Sequence, residues 1–153
     1  QPAASVPYLA DVAALEWALS IAALASDTAP LALSRLAEIL PMRHSEIRFT
    51  AHPAHILLRV TYPADAIRAG ALAGDECMLG ALNLSDGPHQ LLIVRAEDDI
   101  TIERLDRLEA AFLEALISGQ SLGEALDGAS GNISPEILAR HIRNGRFADC
   151  YLR

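Results

Sequence analysis

The chain has 153 residues and a net charge of −8, because 20 Asp and Glu outnumber 12 basic residues, all of them Arg. Apolar residues make up 52% and aromatic residues only 5%, so Ala, Leu and Ile must build the core. This composition excludes a disordered chain, suits one domain or two small joined ones, and disfavours nucleic acid as a partner.

The first segment, residues 1–75, is predicted to be helical with one β-hairpin. Residues 8–26 read as a long helix whose apolar side chains surround most of its circumference, which is typical of a helix buried on several sides. Trp17, the only Trp in the chain, is predicted to anchor the core. Because Glu16 interrupts the longest apolar run, a membrane span is not expected.

After a shorter helix over residues 31–40, the hydrophobic period changes to two. Apolar residues recur at every second position over residues 47–51 and again over 56–62, where Leu57 is the one apolar residue between them, on either side of the Pro-bearing turn at 52–54. We predict that these two strands form the hairpin. Pro63 then opens a short helix that ends at Leu72. Residues 76–90 are rich in Gly and Asp, and we predict a connector with one helical turn near Met78.

The second segment, residues 91–153, is predicted to be a winged-helix-like recognition element that forms one compact unit with the first. Strands over 91–94 and 100–103 form a hairpin around the polar turn at 97–99. A helix over 105–117 ends at Gly119, and Ser121 and Glu124 form a capping box that begins the next helix. A loop over 128–132 precedes a helix over 135–143, and 147–152 returns as a strand. The predicted fold class is α+β, with the outline of a winged helix-turn-helix.

The sequence offers no catalytic constellation, so we interpret the protein as a non-enzyme without cofactors. His52 and His55 flank a turn, but no Cys, Asp or Glu stands at a spacing that would complete a metal site. The two cysteines, Cys77 and Cys150, favour a reduced compartment, here the cytoplasm, while leaving a structural disulfide open. No signal peptide is visible, and the start at Gln1 without Met suggests a fragment of a longer protein.

One basic cluster stands out on and after the last predicted helix: Arg140, His141, Arg143 and Arg146. In a winged helix-turn-helix this helix would read DNA, so a DNA-binding regulator is one hypothesis, although the net charge makes nucleic acid an unfavourable partner. A competing use of such a fold is the capture of an extended peptide along the edge of the hairpin. A purely structural or oligomerisation module is the third hypothesis.

Several motifs resemble one family. Residues 8–18, YLADVAALEWA, are similar to a segment of HvfC/BufC-type proteins, whose N-terminal half is often labelled a DNA-binding domain. The resemblance continues through His52-Pro53 and Tyr62-Pro63, and ends with a spaced set of residues over 109–125 and at Gly145-x-Phe147. Its last part is loosely shared with PqqD-like peptide-recognition elements. Ala10 and Arg68 depart from the family, which often has Pro and Trp there. The chain resembles the C-terminal domain alone.

This resemblance implies a non-catalytic partner of multinuclear non-heme iron oxidases. Such proteins hold a ribosomally made precursor peptide while the oxidase modifies its cysteines, and the products are often copper-binding peptides. The iron belongs to the oxidase. We therefore expect peptide contacts along the strand edge at 100–103 and on the last helix. The candidate peptide-binding residues are Ile100, Thr101, Ile102, Glu103, Ile137, Arg140, His141 and Asn144.

Overall fold

The computed structural model describes residues 6–97, 99–130 and 133–153. Within them the protein has an α+β fold that divides into two compact units. Of the described residues, the first unit comprises those within 6–25 and 56–105, and the second comprises those within 26–55 and 106–153. The two units therefore interleave along the chain, unlike the predicted division at residues 75 and 91. The predicted winged-helix-like element contributes its hairpin to the first unit and its helices to the second.

The first unit consists of three helices, one of them short, and a three-stranded sheet. Its helices are α1 (Leu9–Leu24), α3 (Ala64–Ala73) and α4 (Glu76–Ala81), the last being the helical turn predicted near Met78. Its strands β2 (His55–Val60), β3 (His89–Ala96) and β4 (Asp99–Leu105) lie in the order β2-β3-β4. The predicted β3–β4 hairpin is confirmed, with Ile93 opposite Ile102 in an antiparallel register.

The core of the first unit forms where α1 lies on the sheet. Its buried members are Leu15, Ala18, Ala22, Val60, Ala64, Leu91 and Ile93. Small Ala side chains on α1 allow the helix backbone to approach the sheet closely. Trp17 lies on the opposite face of α1 and is 70% exposed, so its prediction as a core anchor was wrong. Because apolar side chains surround most of α1, its sequence pattern does not determine which face is buried.

The second unit contains α2 (Leu33–Ala37), a 3₁₀ helix (Pro41–Glu46), α5 (Arg107–Ile117), α6 (Leu122–Gly128) and α7 (Pro135–Arg143). Its strands β1 (Ile47–Ala51) and β5 (Phe147–Leu152) pair antiparallel, and the rings of Phe49 and Phe147 lie 4.6 Å apart. The predicted capping box is present, since Ser121 and Glu124 exchange hydrogen bonds of 2.7 and 3.3 Å. Arg48 on β1 donates to the carbonyl of Gly119 and pairs with Glu124.

The predicted hairpin of β1 with β2 was wrong. β1 pairs with β5, and β2 belongs to the other sheet. The turn after β1 is fixed within the second unit, because the backbone N–H of His52 donates to the backbone carbonyl of Arg146 at 3.0 Å. Alternation identifies a strand but does not select its partner. Asp98 of the predicted hairpin turn, and residues 131–132 of the predicted loop, lie outside the described residues.

Asp11 ties the start of α1 to the end of β2. Its Oδ2 accepts hydrogen bonds from the backbone N–H groups of Thr61 and Tyr62, each at 2.8 Å. The carboxylate therefore stabilises two donors fifty residues away along the chain.

Replacing Asp11 by Ala is expected to lower the free energy of unfolding by about 2 kcal/mol, because both N–H groups lose an anionic acceptor. Asp11→Asn is the matched control, since its amide oxygen can still accept both bonds and should retain most of the stability. Urea unfolding compares the three proteins. A loss below about 0.5 kcal/mol for Asp11→Ala would contradict this assignment.

Candidate functional site

The predicted strand edge lies on β4, the last strand in the order β2-β3-β4. Ile100 and Ile102 are half-buried against the core of the first unit, whereas Thr101 is exposed and Glu103 is half-buried. In an antiparallel sheet alternate residues direct their backbone N–H and C=O groups towards each side of the strand. Within the described sheet, β4 has a strand neighbour on one side only, so no described strand pairs with its outer side.

An ion pair holds the carboxyl end of β4 in place. The Arg104 guanidinium donates Nε and Nη2 to the two oxygens of Asp65 at 2.7 and 2.8 Å. Burial opposes ionisation of Asp65, but the hydrogen bonds and charge of Arg104 outweigh it, and the pKa of Asp65 lies below its usual value. This bidentate contact anchors the strand edge to α3.

The predicted helix contacts lie on α7, in the second unit. Ile137 is half-buried, and Arg140 and Asn144 are exposed. His141, in contrast, is only 2% exposed. Its imidazole is held within the unit and therefore does not offer the peptide contact that we predicted. The two parts of the predicted site thus belong to different units, with 100–103 in the first and 137–144 in the second.

A buried carboxylate on α5, absent from the predicted site, organises the basic cluster. Glu109 is only 7% exposed, and its Oε1 accepts a hydrogen bond from Arg140 Nη2 and lies 3.0 Å from His141 Nε2. A buried anion requires such partners. The sequence does carry a signal, because Glu109 is in helical phase with the buried Phe112, Leu113 and Leu116. A charge in that phase indicates a buried ion pair.

The environment of His141 favours the neutral imidazole. Burial is the main reason that the pKa of His141 lies below its usual value, and the charges of Arg146 and Arg140 act in the same direction. The negative charge of Glu109 opposes them without reversing the result. Arg146 is itself 4% exposed. The basic cluster is therefore divided: His141 and Arg146 are internal to the second unit, whereas Arg140 and Arg143 are exposed.

The two turn histidines stack, with ring centroids 4.5 Å apart. The Ala54 N–H donates to His52 Nδ1 at 3.2 Å, so this nitrogen carries no proton. The proton consequently resides on Nε2, which donates to the Thr28 carbonyl at 2.8 Å. Both ring nitrogens of His52 are therefore used by backbone contacts that fold the turn.

Neither cysteine forms a disulfide. Cys77 is exposed, whereas Cys150 is buried, and both are free thiols. Burial and, secondarily, the charge of Asp149 raise the pKa of the Cys150 thiol. Cys150 lines a cleft of about 330 Å³ in the second unit, together with Arg35, Glu38 and Leu152 among others. The guanidinium of Arg35 lies 3.3 Å from Glu38 and 3.6 Å from Asp149, so one cation is shared by two carboxylates of the same unit.

Across residues 6–97, 99–130 and 133–153, no group of three or more His, Cys, Asp or Glu side chains is arranged to hold a metal ion. The helices of the same ranges include none that combines the length and apolar character needed to cross a membrane. Comparison with models of known protein families and with curated proteins finds no match to this chain.

The lowered pKa of His141 predicts that acid destabilises the protein through this residue. The unfolded chain takes up a proton near pH 6.5, whereas the folded protein does so only at lower pH. The stabilising contribution is therefore complete above about pH 6.5 and is lost as the pH falls below it. We expect His141→Gln to flatten the decline in the free energy of unfolding between about pH 7.5 and 5.5. Parallel pH profiles of the two proteins would contradict this interpretation.

Proposed function

We propose that the protein is a non-catalytic partner that binds a ribosomally made precursor peptide and presents it to a multinuclear non-heme iron oxidase. The oxidase would modify cysteines of the peptide during the maturation of a copper-binding product, in the cytoplasm. The observation that carries the peptide-binding part is the position of β4 at the end of its sheet. The assignment of an oxidase partner and of a copper-binding product depends on the sequence resemblance alone.

The β4 edge supports peptide capture by strand addition. In this mode main-chain hydrogen bonds supply affinity, and pockets for alternate side chains supply register. Ile100 and Ile102 anchor the strand to the core, and Arg104 fixes its end to Asp65. A strand held in this way is already in the extended conformation that it needs when a peptide binds, so less conformational entropy is lost on association.

On α7, Arg140 and Asn144 are exposed and Ile137 is half-buried; these residues belong to the other unit, and their contact with the peptide stays a prediction. His141 enters the proposal only as a positioning residue, because its contact with Glu109 helps to fix α7 on α5. The same cluster weighs against the rival DNA-binding hypothesis. Two of its four members, His141 and Arg146, are buried, and Arg140 is paired with Glu109, which reduces the positive charge that the cluster offers to phosphates.

A titration followed by NMR tests the proposal. The ¹⁵N-labelled full chain is mixed with a synthetic precursor peptide. The sequence of this peptide is the translation of a short Cys-rich reading frame, which we expect to lie next to the gene of this protein and to an oxidase gene. We expect shifts in alternate amides over residues 100–103, because every second N–H of β4 points outwards. The amides of Asp149 and Tyr151 on β5 serve as the internal control and should not shift.

A scrambled peptide of the same composition should bind more weakly, because it keeps the charge but loses the order of side chains that sets register. Unshifted resonances at 100–103 under saturating authentic peptide would contradict the proposed edge. Binding of duplex DNA that weakens steeply with salt would favour the DNA-binding alternative. A gene neighbourhood without an oxidase gene and without a short Cys-rich frame would count against the oxidase partnership.

A further inference from the structure

The outward face of α1 is apolar and exposed. The side chains of Trp17, Ile21 and Leu24 are 70%, 43% and 87% exposed, while Leu15, Ala18 and Ala22 on other sides of the helix are buried. We call the outward row the α1 stripe; its members are Ala10, Ala13, Trp17, Ile21 and Leu24. At about 100° per residue, the other four members lie within about 40° of Trp17 around the helix axis. Contiguous exposed apolar faces are characteristic of interaction sites.

The charge around the α1 stripe suits contact with a second copy of the chain. The stripe itself has no charged member, and Glu16 at its border is paired with Arg68 Nε at 2.7 Å. The whole chain carries a charge of −8, so two copies repel one another over most of their surfaces. The stripe is a face on which two copies can meet without placing like charges together.

The order of side-chain sizes along the stripe is self-complementary. Small Ala10 and Ala13 occupy its first half, large Ile21 and Leu24 its second half, and Trp17 stands midway. An antiparallel pair of α1 helices related by a twofold axis at Trp17 sets Leu24 of one copy on Ala10 of the other. The same operation sets Ile21 on Ala13. Large side chains then fill the spaces beside small ones, as close packing requires.

We infer that the α1 stripe is the interface of a homodimer, formed by antiparallel packing of α1 across a twofold axis. The helix spans 16 residues, or about 24 Å, and a single helix pair of that length buries less than the ~1,200 Å² of a stable interface. The dimer is therefore reversible and forms with rising protein concentration. This interface does not involve β4 and is independent of the proposed function.

Sedimentation equilibrium of the full chain over a wide concentration range tests the interface. We expect the average mass to rise from one chain towards two, and the emission of the single Trp to shift to shorter wavelength as Trp17 leaves water. Trp17→Ala should weaken association at least tenfold, as loss of a central aromatic contact does. Because Trp17 is largely exposed, this variant should keep its circular dichroism spectrum.

Met42→Ala is the matched control, since Met42 is 83% exposed but lies in the second unit. Its association should equal that of the unchanged chain. A mass that stays at one chain at every concentration would overturn the proposal. So would self-association that Trp17→Ala leaves unaltered, because another surface would then be responsible.

Charge pairs test the antiparallel arrangement. Ala10→Glu and Leu24→Arg should each weaken the dimer, since each buries a charge without a partner. The double variant should recover at least tenfold over either single variant, because the two new charges meet across the twofold axis. In a parallel pair, like charges would meet and the double variant would be weaker still. That result would overturn the inferred geometry.

Discussion

The backbone of an edge strand must find hydrogen-bond partners outside its own sheet, and this demand at β4 is the constraint on which the functional account depends. Among the described strands, β4 is paired only with β3. Its inner side chains are fixed, with Ile100 and Ile102 against the core and Arg104 on Asp65. The strand can therefore hold its outer N–H and C=O groups in a constant geometry. Water satisfies such groups in the absence of a partner, and an extended peptide can replace that water.

The buried charge of Glu109 determines what the basic cluster can do. An anion that is 7% exposed cannot remain without cationic or hydrogen-bonding partners, and Arg140 and His141 supply them. Two basic residues that would otherwise suggest a phosphate-binding surface consequently link α7 to α5 through their side chains. The local sequence around residues 140–146 resembles a nucleic-acid contact, whereas the tertiary partner on α5 turns it into a structural feature.

Local signals in the sequence predicted most of the elements, because they depend on neighbours within a few residues. The capping box at Ser121, the end of α5 at Gly119 and the alternation over β1 belong to this class. Pairing of β1 with β5 could not be predicted, since alternation is the same whichever strand lies opposite. The exposure of Trp17 was missed for a related reason: a helix that is apolar around most of its circumference does not reveal which side faces the core.

In the candidate site, too, features that depend on local sequence were predicted and features that depend on tertiary contacts were not. The position of residues 100–103 on a hairpin strand followed from local pattern, and the structure places that strand at the end of its sheet. The burial of His141 did not follow, because it depends on Glu109, which lies 32 positions earlier in the sequence and on another helix. Glu109 itself could have been recognised from its phase among the buried residues of α5. A charged residue in helical phase with buried apolar residues indicates a buried partner of opposite charge.

Hydrogen–deuterium exchange of the full chain, with and without the precursor peptide, tests the central claim most directly. Addition of another strand to β4 would slow exchange of the amides over 100–103 that face outwards, while amides of β5 would exchange at an unchanged rate. The account predicts that localised protection. Equal exchange at 100–103 in the presence of bound peptide would contradict it, because the peptide would then occupy some other surface.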